Sequence, residues 1–136
     1  MNLHYLLMAD HTMLQKQLYS SIKSSGLSIG QPKVLDYLKE NNGAYQKDIA
    51  HGCYIEPASL STILNGMEKK GLIKRTADIG SRRNVKIYMT DKGREMCGLV
   101  ADNFKVLENK ALADFSEEER KHLNNLLIKL HNNLSN

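Results

Sequence analysis

The sequence has no tryptophan, two phenylalanines and two cysteines among its 136 residues. The shortage of aromatic side chains argues against a stacking platform for single-stranded nucleic acid, which needs several exposed rings. Cys53 and Cys97 are too far apart for a CxxC pair or zinc-finger spacing, so we expect two free thiols in a reducing compartment, the cytoplasm. The apolar stretch at 5–9 is too short for a signal peptide, and no run approaches the length of a membrane span.

Catalytic motifs are also missing. The sequence contains no HExxH, no phosphate-binding GxxxxGK loop, no GxGxxG and no recognisable Ser–His–Asp order. The acidic run Glu117–Glu119 follows Ser116 in the register of a helix capping box, and capping explains it better than catalysis does. An enzyme is therefore the weakest function class for this chain, and we expect no cofactor.

Positive charge, by contrast, is concentrated in one part of the chain. The whole sequence carries 19 Lys and Arg against 15 Asp and Glu, which gives a net charge of +4. Between positions 69 and 86 seven basic residues meet one acid, Asp78, so this window carries +6 and the remainder sums to −2. We call the seven residues the basic cluster: Lys69, Lys70, Lys74, Arg75, Arg82, Arg83 and Lys86. Contact with nucleic-acid phosphates explains this concentration, although a solvated hairpin would also carry charge.

The predicted elements follow the order of a winged helix-turn-helix protein. Helices are expected at about 3–23, 28–41, 45–51 and 57–70, strands at 72–77 and 85–90, and further helices after Thr90 and after Ser116. The predicted fold class is mainly α with a small β-hairpin wing. We expect one compact domain with two lobes: an N-terminal dimerisation helix (1–28), a DNA-binding lobe (29–90) and C-terminal dimerisation helices (91–136).

The terminal helices carry more apolar surface than a small central unit can cover. Apolar residues recur at helical spacing in the first helix and again in the last: Leu3, Leu7, Leu14, Leu18 and Ile22, then Leu123, Leu126, Leu127, Leu130 and Leu134. Mutual burial between two chains would cover these stripes. We therefore expect a homodimer, with two DNA half-sites about one helical turn apart.

The fourth helix has two unlike sides on a helical wheel. One side is apolar and must face the core: Leu60, Ile63, Leu64 and Met67. The other side is small or polar, and together with an adjacent serine it supplies the predicted contacts to bases or backbone: Ser59, Ser61, Thr62 and Asn65. Hydroxyl groups suit phosphates or base edges, and an asparagine amide pairs with adenine. An ordinary solvated helix face would have the same composition, so this helix alone leaves both interpretations open.

Several strings in the sequence resemble the MarR family of regulators. They are Leu35–Leu38, Tyr45–Ala50, Ser59–Leu64, Met67–Arg75 (which contains EKKGLIKR), Ser81–Arg83 and Met89–Gly93 (which contains TDKG). The resemblance covers nearly the whole chain and is most specific from Gln46 to Gly93. It implies a dimer whose first, fifth and sixth helices interlock, with recognition helices in successive major grooves of a pseudo-palindromic site. It also implies a cleft between the lobes where small molecules act.

We therefore predict a sequence-specific regulator that binds double-stranded DNA, a dimeric repressor released by a small molecule or a redox signal. Arg82 and Arg83 would reach a minor groove from the hairpin. The alternative is a winged-helix protein-interaction module without DNA binding, which the scarcity of arginine in the fourth helix keeps open. Cys53 is the candidate redox residue, against an interpretation as a small buried turn residue. His4 and His11 share a helix face but lack a fixed set of partners, so we assign no metal site.

Overall fold

The computed structural model describes residues 1–80 and 84–135, and these form six α-helices and a two-stranded antiparallel sheet. The helices are α1 (Leu3–Ser21), α2 (Gln31–Asn41), α3 (Gln46–Cys53), α4 (Pro57–Lys69), α5 (Asp91–Ala111) and α6 (Glu117–Leu134), and the strands are β1 (Ile73–Ala77) and β2 (Val85–Met89). This confirms the predicted class of a mainly helical chain with one hairpin. Two compact units are present, Met1–Phe104 and Lys105–Asn136, and the division into three segments stays a prediction.

Two helices begin as their local sequence predicts. Ser116 accepts a hydrogen bond from the Glu119 N–H at 3.1 Å, and the Glu119 carboxylate accepts one from the Ser116 N–H at 3.0 Å. The pKa of Glu119 is lowered, chiefly because the hydrogen bond from the Ser116 backbone N–H favours the ionised carboxylate. At the start of α5, the Thr90 hydroxyl accepts from the Gly93 N–H at 3.0 Å. Both caps satisfy amide groups that the helix itself cannot pair.

The start of α2 differs from its prediction. The Gln31 side chain does accept from the Ser28 N–H at 2.9 Å, which is half of a capping box. The residue that caps the helix, however, is Gly30, with φ at 88° in the left-handed region that glycine tolerates best. The Ser28 hydroxyl is engaged elsewhere, because it accepts from the Lys70 ammonium at 2.8 Å. A contact across 42 residues has replaced the local one.

The core of the first unit lies between α2, α3, α4, the hairpin and α5. Its completely buried residues include Val34, Leu35, Leu38, Ile49, Leu60, Leu64, Met67, Ile87 and Val100. Three of the four predicted core residues of α4 are thus confirmed, whereas Ile63 is half-buried at the edge of the cluster. Fixing three residues on one side of α4 also fixes which side chains of that helix point to solvent.

The hairpin is joined to the segment that precedes α3. β1 and β2 pair from Ile73–Met89 to Ala77–Val85. On the other side of β2, the Gly43 N–H donates to the Ile87 carbonyl at 2.8 Å, and the Ile87 N–H donates to the Ala44 carbonyl at 2.9 Å. Because β2 is hydrogen-bonded on both sides, the hairpin keeps a defined position beside α3 and α4.

Apolar side chains remain exposed on α1 and, in the second unit, on α6. Leu18 of α1 is buried, but Leu3 and Leu14 are exposed by 60% and 44%. None of the residues of α6 is buried, and its Leu126 is exposed by 50%. No helix of the described residues has the length and apolar character of a membrane span.

Candidate nucleic-acid interface

One side of α4 presents a strip of exposed polar residues. Pro57 starts the helix, where its missing N–H costs nothing and its fixed φ suits the first turn. Because residues three or four apart share a helix face, four exposed residues line up along it, and we call them the α4 strip: Ser59, Thr62, Asn65 and Lys69. Three of the four predicted base or backbone contacts thus lie on one open surface.

Ser61, the fourth predicted contact, lies in a different setting. It is half-buried, and its hydroxyl accepts a hydrogen bond from the Gln46 amide at 3.0 Å. Its carbonyl accepts from the Arg75 guanidinium at 3.3 Å. Ser61 therefore joins α4 to α3 on one side and to β1 on the other. The Nε of Arg75 is buried and has no acceptor among the described residues.

Most of the basic cluster is free of acidic partners. Lys69 and Lys74 are exposed, Arg75 and Lys86 are half-buried, and none of the four forms an ion pair with another described residue. Their positive charge is therefore not neutralised by the part of the chain that the structure describes. The other two arginines of the cluster, Arg82 and Arg83, lie outside the described residues. The DNA contacts assigned to all of these side chains stay predictions.

Lys70 is placed differently from the rest of the basic cluster. Its ammonium donates to the Gly26 carbonyl at 2.6 Å, to the Ser28 hydroxyl at 2.8 Å and to the Gln31 side-chain oxygen at 2.9 Å. These bonds use all three ammonium hydrogens and attach the end of α4 to the loop between α1 and α2. We therefore remove Lys70 from the predicted phosphate contacts and assign it to holding α4 in place.

The different settings of Lys69 and Lys70 lead to opposite expectations for the same substitution. Lys70→Met is expected to lower the free energy of unfolding by about 1–2 kcal/mol, because three acceptors lose a charged donor. Lys69→Met removes an exposed ammonium and should leave stability within about 0.5 kcal/mol while weakening duplex binding. Chemical denaturation of both variants measures the free energy of unfolding, and DNA titration measures their affinity for the duplex. Equal stability of the two variants would contradict the role of Lys70.

Four residues at this surface escaped the sequence analysis: Tyr45, Gln46, Lys47 and Asp78. The Tyr45 hydroxyl donates to an Asp78 carboxylate oxygen at 3.0 Å. This bond to Asp78 is the main reason that the pKa of Tyr45 is raised, and the phenol stays a protonated donor at neutral pH. The ammonium groups of Lys47 and Lys86 lie 5.9 and 5.4 Å from the centre of the Tyr45 ring, within cation–π distance. The sequence analysis marked Asp78 only as the single acid between positions 69 and 86, and the other three only as members of the Tyr45–Ala50 string, without assigning a contact to any of them.

A pocket of about 330 Å³ opens beside these residues, between α3, α4 and β2. Gln46, Lys47 and Ser61 supply the polar groups of its wall. Pro57 and Val85 are among the residues that supply its apolar surface. The pocket thus lies where the first turns of α3 and α4 approach each other. The wall is mainly apolar and carries one cationic side chain, Lys47, and its Ser61 hydroxyl is already bound by Gln46.

The sequence left two interpretations of Cys53 open, a redox residue and a small buried residue, and the structure favours the second. Cys53 is the last residue of α3, is 2% exposed, and its Sγ lies 3.7 Å from the Lys33 carbonyl. Burial raises its pKa, and burial likewise raises the pKa of Cys97. A buried neutral thiol is a poor redox sensor, so Cys53 is a core residue. Over the described ranges, no group of three or more His, Cys, Asp or Glu side chains surrounds a possible metal position.

The known proteins that this chain resembles are transcriptional regulators. The model of the MarR family matches residues 27–85. The transcriptional regulator PecS of Dickeya dadantii is 30% identical over 113 residues, which are 81% of this chain and 68% of PecS. The transcriptional repressor MdtR of Bacillus subtilis is 26% identical over 117 residues, 86% of this chain and 76% of MdtR. A MarR family regulator from Listeria monocytogenes, solved with a 26mer DNA, has the same fold, with a TM-score of 0.92 at 23% identity over 98% of this chain and 89% of that one.

Proposed function

The chain belongs to the MarR family, and from this premise we propose that it binds a pseudo-palindromic operator as a homodimer and represses the genes beside it. It is a DNA-binding transcriptional regulator, and its family and relatives are regulators rather than enzymes. The symmetry of its site, the dimer and the direction of regulation belong to the proposal. We place its action in the cytoplasm, where two free thiols stay reduced.

The observation that carries the proposal is the α4 strip together with the unpaired cations next to it. Side chains able to meet base edges occupy one open face of a helix, and Lys74, Arg75 and Lys86 lie on the hairpin beside that helix. Phosphate contacts supply most of the affinity for a duplex, and base contacts supply the sequence preference. α4 would enter the major groove, and the hairpin would follow the backbone towards the minor groove.

The exposed apolar residues of α1 and α6 support the homodimer. Side chains such as Leu3, Leu14 and Leu126 are exposed to water, and exposed apolar surface at helical spacing is typical of a protein–protein interface. A second copy of the chain would cover them through a symmetric interface. Two recognition helices would then meet half-sites roughly 34–36 Å apart.

Repression would follow from occupation of a promoter, and the relative MdtR is named a transcriptional repressor. We further propose that a small molecule releases the DNA by binding away from α4. The buried, neutral thiol of Cys53 disfavours a redox signal at that residue, so a ligand is the better candidate.

The arginine pair of the hairpin provides the test of DNA binding. Arg82→Ala with Arg83→Ala is expected to weaken binding of the native site about tenfold. The slope of log K against log salt should fall by about 0.9 for each phosphate that is no longer neutralised. Fluorescence anisotropy titrations at several salt concentrations measure both quantities, and the stoichiometry should be two chains per site. A matched control is Lys121→Ala with Lys129→Ala, which removes the same charge from α6 and should leave the affinity within about threefold.

Two results would overturn parts of the proposal. If the wild type binds neither its site nor random duplex at low salt, the chain is a winged-helix interaction module instead. If the wild type binds but the arginine variant keeps the same affinity and salt slope, the hairpin takes no part in binding.

A further inference from the structure

The segment at 26–31, which leads into α2, contacts one side of α4. Because residues three or four apart share a helix face, Ile63, Gly66 and Lys70 form a row along α4, which we call the loop-facing row. Each of the three directly follows a member of the α4 strip in the sequence. The two rows are therefore neighbours on one regular helix, and contacts that fix the loop-facing row also fix the direction of the strip.

Every residue of the loop-facing row meets that segment. Gly30 lies so close to Ile63 that a Cβ atom on the glycine would overlap the isoleucine side chain. A Cβ atom on Gly66 would lie 3.0 Å from Nε2 of Gln31. The Lys70 ammonium completes the row with its three hydrogen bonds to acceptors of the segment. The start of α2 thus holds α4 over two of its turns.

Gln31 is the centre of this contact. It is 3% exposed, which is rare for a polar residue. Its side-chain oxygen accepts from the Ser28 N–H and from the Lys70 ammonium, both at 2.9 Å. A buried amide with these partners keeps one orientation, because a rotation would leave buried polar groups unpaired. Gln31 therefore defines how closely the start of α2 approaches Gly66.

Tyr19 connects the same contact to α1. Its side chain is half-buried near the end of that helix, and its hydroxyl accepts from the Gly30 N–H at 2.7 Å, across 11 residues of sequence. The hydrogen bond holds Gly30 in place, and Gly30 in turn lies against Ile63. A residue of α1 thus takes part in fixing the position of α4.

We propose that Tyr19 and Gln31 are positioning residues for the base contacts of the α4 strip. This inference rests on the proposed function and adds a determinant of sequence preference that touches no DNA. Contacts to base edges need α4 at a defined depth and rotation in the groove. Contacts of long lysine side chains to phosphates tolerate small displacements of the helix. Loss of the positioning contacts should therefore lower the preference for the operator more than the general affinity for a duplex.

Tyr19→Phe tests the contribution of α1, because it removes the acceptor of the Gly30 N–H and no charge. Affinity for an operator duplex, selected by the wild type from a random pool, is expected to fall about 3- to 10-fold. Affinity for a scrambled duplex of the same composition should stay within about twofold and keep its salt slope, since the cations that meet phosphates are unchanged. Tyr37→Phe is the matched control: it removes a hydroxyl from α2 outside the contact and should bind both duplexes as the wild type does.

Two substitutions of Gln31 separate its hydrogen bonds from its size. Gln31→Met keeps the length of the side chain but removes the acceptor of Ser28 and Lys70, and the ratio of operator to scrambled affinity should fall about tenfold. Gln31→Glu retains acceptor oxygens and should restore most of the ratio. A residue that only stabilises the fold would change both affinities by one factor, since it alters only the folded fraction.

The ratio of the two affinities decides the outcome. An unchanged ratio in Tyr19→Phe or in Gln31→Met, an equal decrease on both duplexes, or an equal effect of Tyr37→Phe would overturn the inference while leaving DNA binding by the wild type intact. Tyr19→Phe is the milder change and gives its answer even if Gln31→Met is too unstable to measure. If the wild type does not distinguish the two duplexes, the proposed function fails first.

Discussion

Gly93→Ala is expected to destabilise the protein by about 3 kcal/mol or more. Gly93 lies in the first turn of α5, and a Cβ atom built on it would overlap the carbonyl oxygen of Leu72. That oxygen accepts the Thr90 N–H at 3.0 Å, so it cannot withdraw without breaking the turn from β2 into α5. Because the obstacle is backbone rather than a flexible side chain, the helix itself would have to move.

Gly98 provides the matched control within the same helix. A Cβ atom there would meet nothing within 4 Å, so Gly98→Ala should stabilise the protein by about 0.5–1 kcal/mol through helix propensity. Urea unfolding of both variants at one protein concentration gives the comparison, since a dimer makes stability depend on concentration. Equal destabilisation by the two substitutions would show that close approach to Leu72 is not what position 93 requires.

These contacts give the TDKG string of positions 90–93 a physical explanation. Thr90 caps α5 by accepting from the Gly93 N–H, and Asp91 lies in the first turn and pairs with Arg94 at 3.0 Å. Because Gly93 has no side chain, the first turn of α5 can lie directly against the backbone carbonyl of Leu72, the residue before β1. Signals of this kind act over three or four residues, which is why the caps of α5 and α6 were predictable from the sequence, whereas the cap of α2, where Lys70 binds the Ser28 hydroxyl, was not.

The packing of α5 shows where periodicity fails. Its apolar residues alone would place Met96 and Leu99 beside Val100 on the buried face. In the structure Cys97 is buried with Val100, whereas Leu99 is exposed by 39%. Hydrophobic spacing cannot decide between two adjacent faces when both carry apolar residues. The neighbouring elements determine which face of α5 is buried. Gly93 lies four residues before Cys97 on that same face, where the helix passes close to the backbone of Leu72.

In the candidate site, too, one part could be predicted from the sequence and another could not. The α4 strip could be predicted, because burial of Leu60, Leu64 and Met67 on a regular helix determines which residues face out. The internal role of Lys70 could not, because its acceptors lie 39 to 44 residues away. A lysine that binds phosphate and one that binds carbonyl groups look identical in a sequence.

Thr62→Glu is expected to reduce affinity for the operator by about 100-fold, the largest decrease that a single exposed substitution in this chain should cause. Thr62 is exposed in the middle of the α4 strip. Among the described residues, its hydroxyl donates only one long hydrogen bond, of 3.4 Å, to the Ala58 carbonyl. A carboxylate at this point would face the phosphates and base edges of the groove, where like charges cost several kcal/mol. Glutamate is a good helix former, so the fold should not suffer.

The uncharged counterpart, Thr62→Gln, separates charge from size. It has nearly the same shape as the glutamate variant and retains hydrogen-bonding groups, so its affinity should remain within about tenfold of the wild type. Anisotropy titrations at two salt concentrations compare the two, and added salt should narrow the gap between them because it screens the repulsion. Equal decreases for Glu and Gln would indicate a steric limit at position 62, and an unchanged affinity for Glu would remove α4 from the groove. Either result bears directly on α4, since Thr62 is exposed and its replacement leaves the packing of the core undisturbed.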